Sequence, residues 1–207
     1  MLRARYFILL ICLSFLLKAE AKVTLTSIWG SNMVLQQQSE VTFSGTATSG
    51  KRVQAIASWD NKKVQTNVDT KGEWKLTLQT PRAGGPYSIT FSDGEELKLQ
   101  NILIGEVWFC SGQSNMEMPV KGFRGQPVFG SQPYIVSANP QRPLRLYTVK
   151  NAWSTTPQEA GVEGEWEEAS PEEVANFSAT AYFFGNQLQQ SLDIPVGLIH
   201  CSWSMSK

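Results

Sequence analysis

Ser114 is the residue of this chain best placed to do chemistry. It stands in the turn Ser111-Gly112-Gln113-Ser114-Asn115, directly after an apolar run that starts at Ile102 and is interrupted only by Gly105 and Glu106. Such a run, ending abruptly in small polar residues, reads as a buried strand that gives way to a tight turn. In open α/β sheets the carboxyl ends of strands carry ligands and catalytic groups, because the turn is exposed while the strand behind it is rigid. A serine there can act as a nucleophile if a base accepts its proton and amide donors receive the oxyanion. A Gly-Ser-Asn cluster after a strand is also ordinary turn chemistry, so the pattern alone leaves both readings open.

The base is the difficulty. The chain has one histidine, His200. It lies inside Val196-Gly197-Leu198-Ile199-His200-Cys201, an apolar run that reads as a buried strand, and no aspartate stands three residues before it. His200 is therefore not expected to serve Ser114. Glu163, Glu165, Glu167 and Glu168 are closely spaced in a loop flanked by Trp153 and Trp166; paired carboxylates can move protons or hold a cation, but an acidic loop is more often simply solvated. No Cys-x-x-Cys pair and no histidine cluster occurs, so neither a metal nor a cofactor is expected. Beyond residue 21 the cysteines are Cys110 and Cys201, which could pair in an oxidising compartment or remain buried thiols.

The run Gly105-Glu106-Val107-Trp108-Phe109-Cys110-Ser111-Gly112-Gln113-Ser114-Asn115-Met116 closely resembles the first block of sialate O-acetylesterase-like proteins, a branch of the SGNH-type hydrolases that remove O-acetyl groups from sugars. Asn32-Met33-Val34-Leu35-Gln36 and the Gly84-Gly85-Pro86-Tyr87 turn resemble the β-domain that precedes the esterase domain in that family. The resemblance implies that Ser114 descends from a catalytic serine, that Gln113 is a helper near the reacting ester, and that Gly112 and Asn115 border the oxyanion or substrate pocket. In the family the strand matching residues 196–201 ends in Ser-Trp-Gly-Gly-Thr, where a glycine amide helps form the oxyanion hole. Here the text is Ser202-Trp203-Ser204-Met205-Ser206-Lys207, with Ser204 in place of the glycine. The family's base, a histidine in a later Asp-x-x-His block, and its asparagine donor have no counterpart among these residues. The expectation is a truncated esterase, inactive on its own.

Several elements must position this site. Leu144-Arg145-Leu146-Tyr147-Thr148-Val149 reads as a strand. Ser170-Pro171-Glu172-Glu173 reads as a capped first turn with proline at the first helical position. Ser178 is expected to cap a longer helix whose apolar stripe is Phe177, Ala181, Phe184, Leu188 and Leu192. With the strand at residues 196–201 this makes a parallel strand-helix-strand crossover. The stretch between Pro119 and Pro143, rich in Gly, Pro and Gln, shows no period and could wall a pocket above Ser114. Asn176-Phe177-Ser178 matches a glycosylation acceptor, which matters only in a eukaryotic source.

Residues 23–99 alternate with period two, as in Val53, Ala55, Ala57, Trp59 and in Trp74, Leu76, Leu78, with turn signals such as Asp69-Thr70-Lys71-Gly72 between the runs. Short strands at near-regular spacing imply a small antiparallel sandwich. The expected fold is thus β plus α/β: a β-sandwich domain over residues 22–100, then an incomplete three-layer α/β/α SGNH-hydrolase-like domain over residues 101–207. Trp29, Trp59 and Trp74 could stack on sugar rings, but alternating aromatics in a sandwich are more often core.

Arg3 and Arg5, the apolar stretch 6–17 and Ala19-Glu20-Ala21 describe a signal peptide over residues 1–21, cleaved after Ala21, and so a secreted or periplasmic protein with no stable membrane anchor. Cys12 follows Ile11 rather than the small residue a lipoprotein signal needs. Of the 207 residues, 18 are Lys or Arg and 18 Asp or Glu, and this balance makes nucleic acid a poor partner. The leading expectation is an O-acetylated carbohydrate as substrate. A sugar-binding sandwich with a vestigial esterase domain is the alternative of a different class, and a purely structural remnant is the third; oligomeric state is not read from the sequence.

Overall fold

A computed structural model describes residues 22–156 and 163–203. Residues 1–21, read above as a signal peptide, and Ser204 lie outside the described residues. Eleven strands and four short-to-medium helices are present among them, in a protein that is mostly sheet. In chain order the strands are β1 (Thr24–Leu25), β2 (Val34–Gln36), β3 (Glu40–Thr46), β4 (Arg52–Ala57), β5 (Lys63–Asn67), β6 (Glu73–Gln79), β7 (Gly84–Ser92) and β8 (Glu96–Gly112). There follow the helices α1 (Ser114–Glu117) and α2 (Gln132–Val136), strands β9 (Leu144–Thr148) and β10 (Trp166–Glu168), helices α3 (Pro171–Asn176) and α4 (Ala179–Leu192), and strand β11 (Val196–Ser202).

The alternating runs of the first half become strands with one buried face: β4 buries Val53, Ala55 and Ala57, and β6 buries Trp74, Leu76 and Leu78. A three-stranded antiparallel sheet runs β1-β3-β6, and a longer sheet runs β10-β9-β11-β8-β7-β4-β5 with β2 alongside β8. Phe43, Trp74, Leu76 and Leu78 of the first sheet share one apolar cluster with Val53, Ala55, Ile89 and Phe91 of the second. Trp74 is in that cluster and Trp29 and Trp59 pack against it, so none of the three is a free stacking platform.

β8 joins everything. Its first part pairs antiparallel with β7 (Leu99 opposite Ile89), its middle pairs parallel with β2 (Ile104 opposite Leu35), and its last seven residues pair parallel with β11 (Glu106 opposite Val196 through Gly112 opposite Ser202). The strand passes through Gln100 without a break, and Asn101 sits within it at φ 56°. The two halves also share packing: Tyr147 and Trp166 lie in the first core, and the Trp166 indole donates to the Ile28 carbonyl at 2.8 Å. Gln36 and Gln37 both donate to the Glu106 carboxylate, at 3.2 and 2.8 Å.

The expected crossover is present as parallel pairing of β9 with β11, Val196 opposite Leu144. Ser170 and Ser178 cap α3 and α4 as their positions imply, accepting from the Glu173 and Ala181 amides. Three expectations need correction. First, α4 is partly rotated: of the expected stripe Phe177 and Ala181 are buried and Leu188 packs against the second core, but Phe184 and Leu192 are exposed, and Ala179, Tyr182, Gly185, Asn186 and Gln189 are buried as well. Arg142 makes this orientation tolerable: its guanidinium donates to Asn186 Oδ1 at 2.9 Å and to Gln189 Oε1, so two amides are buried with a partner. Gly185 permits this orientation, since a Cβ there would collide with the Leu198 side chain. Second, the apolar run is not buried to its end: Trp108 is 43% and Phe109 65% exposed. Among the described residues β11 is the one strand paired with this end of β8, which leaves its other edge open. Third, Glu167 and Glu168 are in a strand and not a loop, because β10 pairs antiparallel with β9 (Glu168 opposite Arg145).

Candidate active site

β8 brings Ser111 and Gly112 to the end of the sheet, and the chain turns at Gln113 into α1. Gln113 is extended (φ −113°, ψ −139°) and caps with its backbone alone. Its carbonyl accepts from the Met116 and Glu117 amides, both at 2.9 Å, and the Ser114 carbonyl accepts from the Met118 amide at 3.1 Å. Ser111, Gly112, Gln113, Ser114 and Asn115 are all exposed. The serine is therefore a hydroxyl on an accessible turn, backed by a strand with seven paired residues.

The first turn of α4 secures α1. Thr180 Oγ1 donates to the Asn115 carbonyl at 2.9 Å, Ser178 Oγ lies 3.3 Å from Met116 Sδ, and the Ala179 amide donates to the Met118 carbonyl at 2.8 Å. Gly112 is required by how closely α1 folds back: a Cβ there would stand 2.9 Å from Met116 Cβ.

On the other side of the turn is the end of β11. Ser202 is opposite Gly112, and the Trp203 amide donates to the Gly112 carbonyl at 3.3 Å. His200 Nε2 is 2.6 Å from Ser202 Oγ, and both residues are buried. The Phe177 ring meets the imidazole edge-on, with centroids 5.5 Å apart. Burial pushes the imidazole below its ordinary pKa, against the opposing pull of the Met116 backbone and the Glu117 charge. The ring is held in its neutral form at neutral pH. His200 was not expected to serve Ser114, and its hydrogen-bond partner is Ser202; their spacing, two apart on a strand and so on one face, is the sequence signal of that pair.

Cys110 and Cys201 are both free thiols. Register explains it: Cys110 is opposite His200 and Cys201 opposite Ser111, so the two sulfurs leave opposite faces of the sheet. Burial raises the Cys110 pKa, which keeps that thiol protonated and unreactive.

A cavity of about 480 Å³ opens beside the turn, lined among others by Ser111, Gly112, Gln113, Lys150, Cys201 and Trp203. Of the candidate residues it takes in Gly112 and Gln113, while Ser114 and Asn115 follow on α1. A second cavity, of about 350 Å³, has Glu165, Glu167 and Glu173 with Lys150 in its wall. Burial, then the charges of Glu173, Glu165 and Glu168, raise the Glu167 pKa. Among the described residues no group of three His, Cys, Asp or Glu side chains is arranged to hold a metal ion, and none of the described helices is long and apolar enough to cross a membrane.

This geometry has a solved counterpart. The chain superimposes on a carbohydrate acetylesterase from Xanthomonas citri with a TM-score of 0.81 and 30% identity, over 89% of this chain and 41% of that one. The sialate O-acetylesterases of Homo sapiens and Rattus norvegicus are 27% and 28% identical to it over 154 residues, 69% of this chain. The chain is sialate O-acetylesterase-like. It spans 28% of the length of these curated relatives, and no family model matches it.

Proposed function

We propose that this chain is the nucleophile-bearing part of a carbohydrate O-acetylesterase, with Ser114 as nucleophile. The observation that carries the reading is Ser114 itself: an exposed serine, on the turn after a rigid central strand, in a chain that is sialate O-acetylesterase-like. In the reaction Ser114 Oγ attacks the acetyl carbonyl carbon and its proton passes to a base. The tetrahedral oxyanion is met by amide donors at the turn, and collapse expels the sugar alkoxide, which takes the proton back. Water then releases acetate from the acetyl-serine. Gln113 and Gly112, which share the cavity beside the turn, border the ester, and Asn115 completes that edge. Ser204, a pocket candidate by resemblance alone, lies outside the described residues.

The fold reading that accompanies this is a β-sandwich followed by an SGNH-hydrolase-like α/β layer. The shared core of the two sheets supports the first part, and the parallel β8-β11-β9 pairing with α4 behind it supports the second.

The chain's single histidine is bonded to Ser202, and no described imidazole serves Ser114. With the one histidine engaged at Ser202 and no Asp-x-x-His block in the sequence, residues 22–207 on their own should hydrolyse an acetyl ester no faster than their Ser114→Ala variant. A clear Ser114-dependent rate would overturn this part of the reading. The binding-module alternative draws no support from Trp29, Trp59 and Trp74, which belong to or pack against the core. Export through the signal segment 1–21 is part of the proposal; detection of the protein only in the cytoplasm would refute it.

A further inference from the structure

We propose that Trp203 is the platform on which the sugar sits: its indole belongs to the wall of the cavity beside the nucleophile turn and stacks on the apolar CH face of a pyranose ring. As a substrate subsite this rests on the esterase reading; as a sugar site it stands on the cavity itself. β8 and β11 run parallel and reach their carboxyl ends together, Gly112 opposite Ser202. One residue further in that register Trp203 stands beside Gln113, and its amide donates to the Gly112 carbonyl at 3.3 Å. Paired strands lie about 4.8 Å apart, so the two residues are neighbours. Gln113 and Trp203 both line the cavity of about 480 Å³, and Ser114 is the residue after Gln113. A ring seated on Trp203 is thereby held next to the nucleophile turn.

The wall has the make-up of a small-ligand site, a large aromatic surface with a few polar groups to orient what lies on it. Trp203 is 47% exposed, which leaves a broad apolar surface unburied at this point. The side-chain amides of Gln113 and Asn151 are in the same wall, and each can both donate to and accept from sugar hydroxyls. The charged side chain there is Lys150, whose ammonium is 3.5 Å from the Glu163 carboxylate. Its charge is already matched, so recognition falls to the ring face and the amides. The other tryptophans are placed elsewhere. Trp29, Trp59, Trp74 and Trp166 belong to or pack against the first core. Trp108 meets Phe184 edge-on with centroids 5.0 Å apart, and Trp153, though exposed, is not in this wall.

The test measures binding and needs no turnover, so it separates this inference from the esterase reading. N-acetylneuraminic acid, which carries no O-acetyl group, is titrated into nitrogen-labelled residues 22–207. The seven tryptophans give indole N–H signals, and that of Trp203 is assigned by its loss in Trp203→Ala. The Trp203 indole and the Gln113 side-chain amide should shift together with one Kd, while the Trp29 and Trp74 signals stay unmoved. Trp203→Ala should weaken binding at least about tenfold, whereas Trp203→Phe, which keeps a ring, and Lys150→Gln should each stay within about threefold of wild type. An unmoved Trp203 signal, or a loss in Lys150→Gln as large as in Trp203→Ala, would overturn the proposal. Should Trp203→Ala fail to fold, the wild-type titration and the Trp203→Phe variant decide it in the same way. In any form of the protein that turns over, Trp203→Ala should raise KM about tenfold and leave kcat nearly unchanged, as when binding is lost equally from ground and transition states. Binding at Trp203 without Ser114-dependent acetyl release would refute the proposed function and leave the sugar site standing; acetyl release with a KM unmoved by Trp203→Ala would refute the site alone.

Discussion

Gly112 lies directly beneath Met116, so close that a Cβ on the glycine would stand 2.9 Å from the Met116 Cβ. Two elements meet at that contact: the end of β8, fixed by its pairing with β11, and α1, which carries Ser114.

Gly112→Ala should therefore push α1 outward and not disturb the strand. The expected cost is that of modest overpacking, about 1–2 kcal/mol. Urea unfolding would measure it, and amide shifts confined to residues 112–118 would show that the displacement is local. A variant as stable as wild type, with unmoved shifts, would mean that α1 has room to spare.

The segment that supports α1 offers a second test. Ser178 is fully buried, accepts from the Ala181 amide at 3.3 Å and touches Met116 Sδ. Ser178→Ala removes the cap of α4 and should lower stability by about 1 kcal/mol. Thr180→Val removes the bond to the Asn115 carbonyl. On an exposed turn its effect on global stability should be small, about 0.5–1 kcal/mol, with greater mobility at Asn115 by nitrogen relaxation.

Arg145 is buried on β9 with its guanidinium 3.3 Å from the Glu168 carboxylate on β10. Desolvation lowers the Arg145 pKa and Glu168 offsets it. Glu168 also accepts from Asn101 at 3.0 Å, so one carboxylate ties β10 to β9 and β8. Glu168→Ala leaves a buried cation with backbone carbonyls of Arg142 and Leu144 as its remaining acceptors. Since the Glu168 side chain is itself 40% exposed, the loss should fall at about 1–3 kcal/mol rather than at the value for a fully buried pair. Chemical denaturation of the variant checks it.

Stability should also depend on His200. Its folded-state pKa lies below the ordinary value of 6.5, so the unfolded chain takes up a proton that the folded chain refuses. The stability this group contributes is fully present above the ordinary value and is lost as pH falls through it toward the folded pKa. Urea midpoints from pH 8 to pH 5 should fall more steeply for wild type than for His200→Gln. Parallel slopes would mean that the imidazole titrates alike in both states.

How much of this was legible from the residues depends on which force decided each element. Strands β4 and β6 were plain in the alternation Val53-Ala55-Ala57 and Trp74-Leu76-Leu78, because one buried face is all that period two requires. The caps Ser170 and Ser178 were equally plain, since capping is local chemistry. The partial rotation of α4 was not: it is made tolerable by Arg142, more than forty residues away in sequence, reaching Asn186 and Gln189. Nor was the exposure of Trp108 and Phe109, because an apolar run shows what a strand can bury and not which of its edges is covered. The exposed turn at Ser114 could be foreseen, and the spacing of His200 and Ser202 put both on one face of β11, whereas the place of Ser202 opposite Gly112 required the register of β11 against β8 to come into view.

The most direct test of the account is Ser114-dependent acetyl release in a complete domain. Residues 22–203 would be fused to the part of the Xanthomonas citri esterase outside the 41% that this chain matches, and acetate release from an O-acetylated sialic acid measured with Ser114 and with Ser114→Ala. The account predicts release by the fusion and a loss of at least about 10³-fold in the alanine variant. Release that persists undiminished in Ser114→Ala would contradict it.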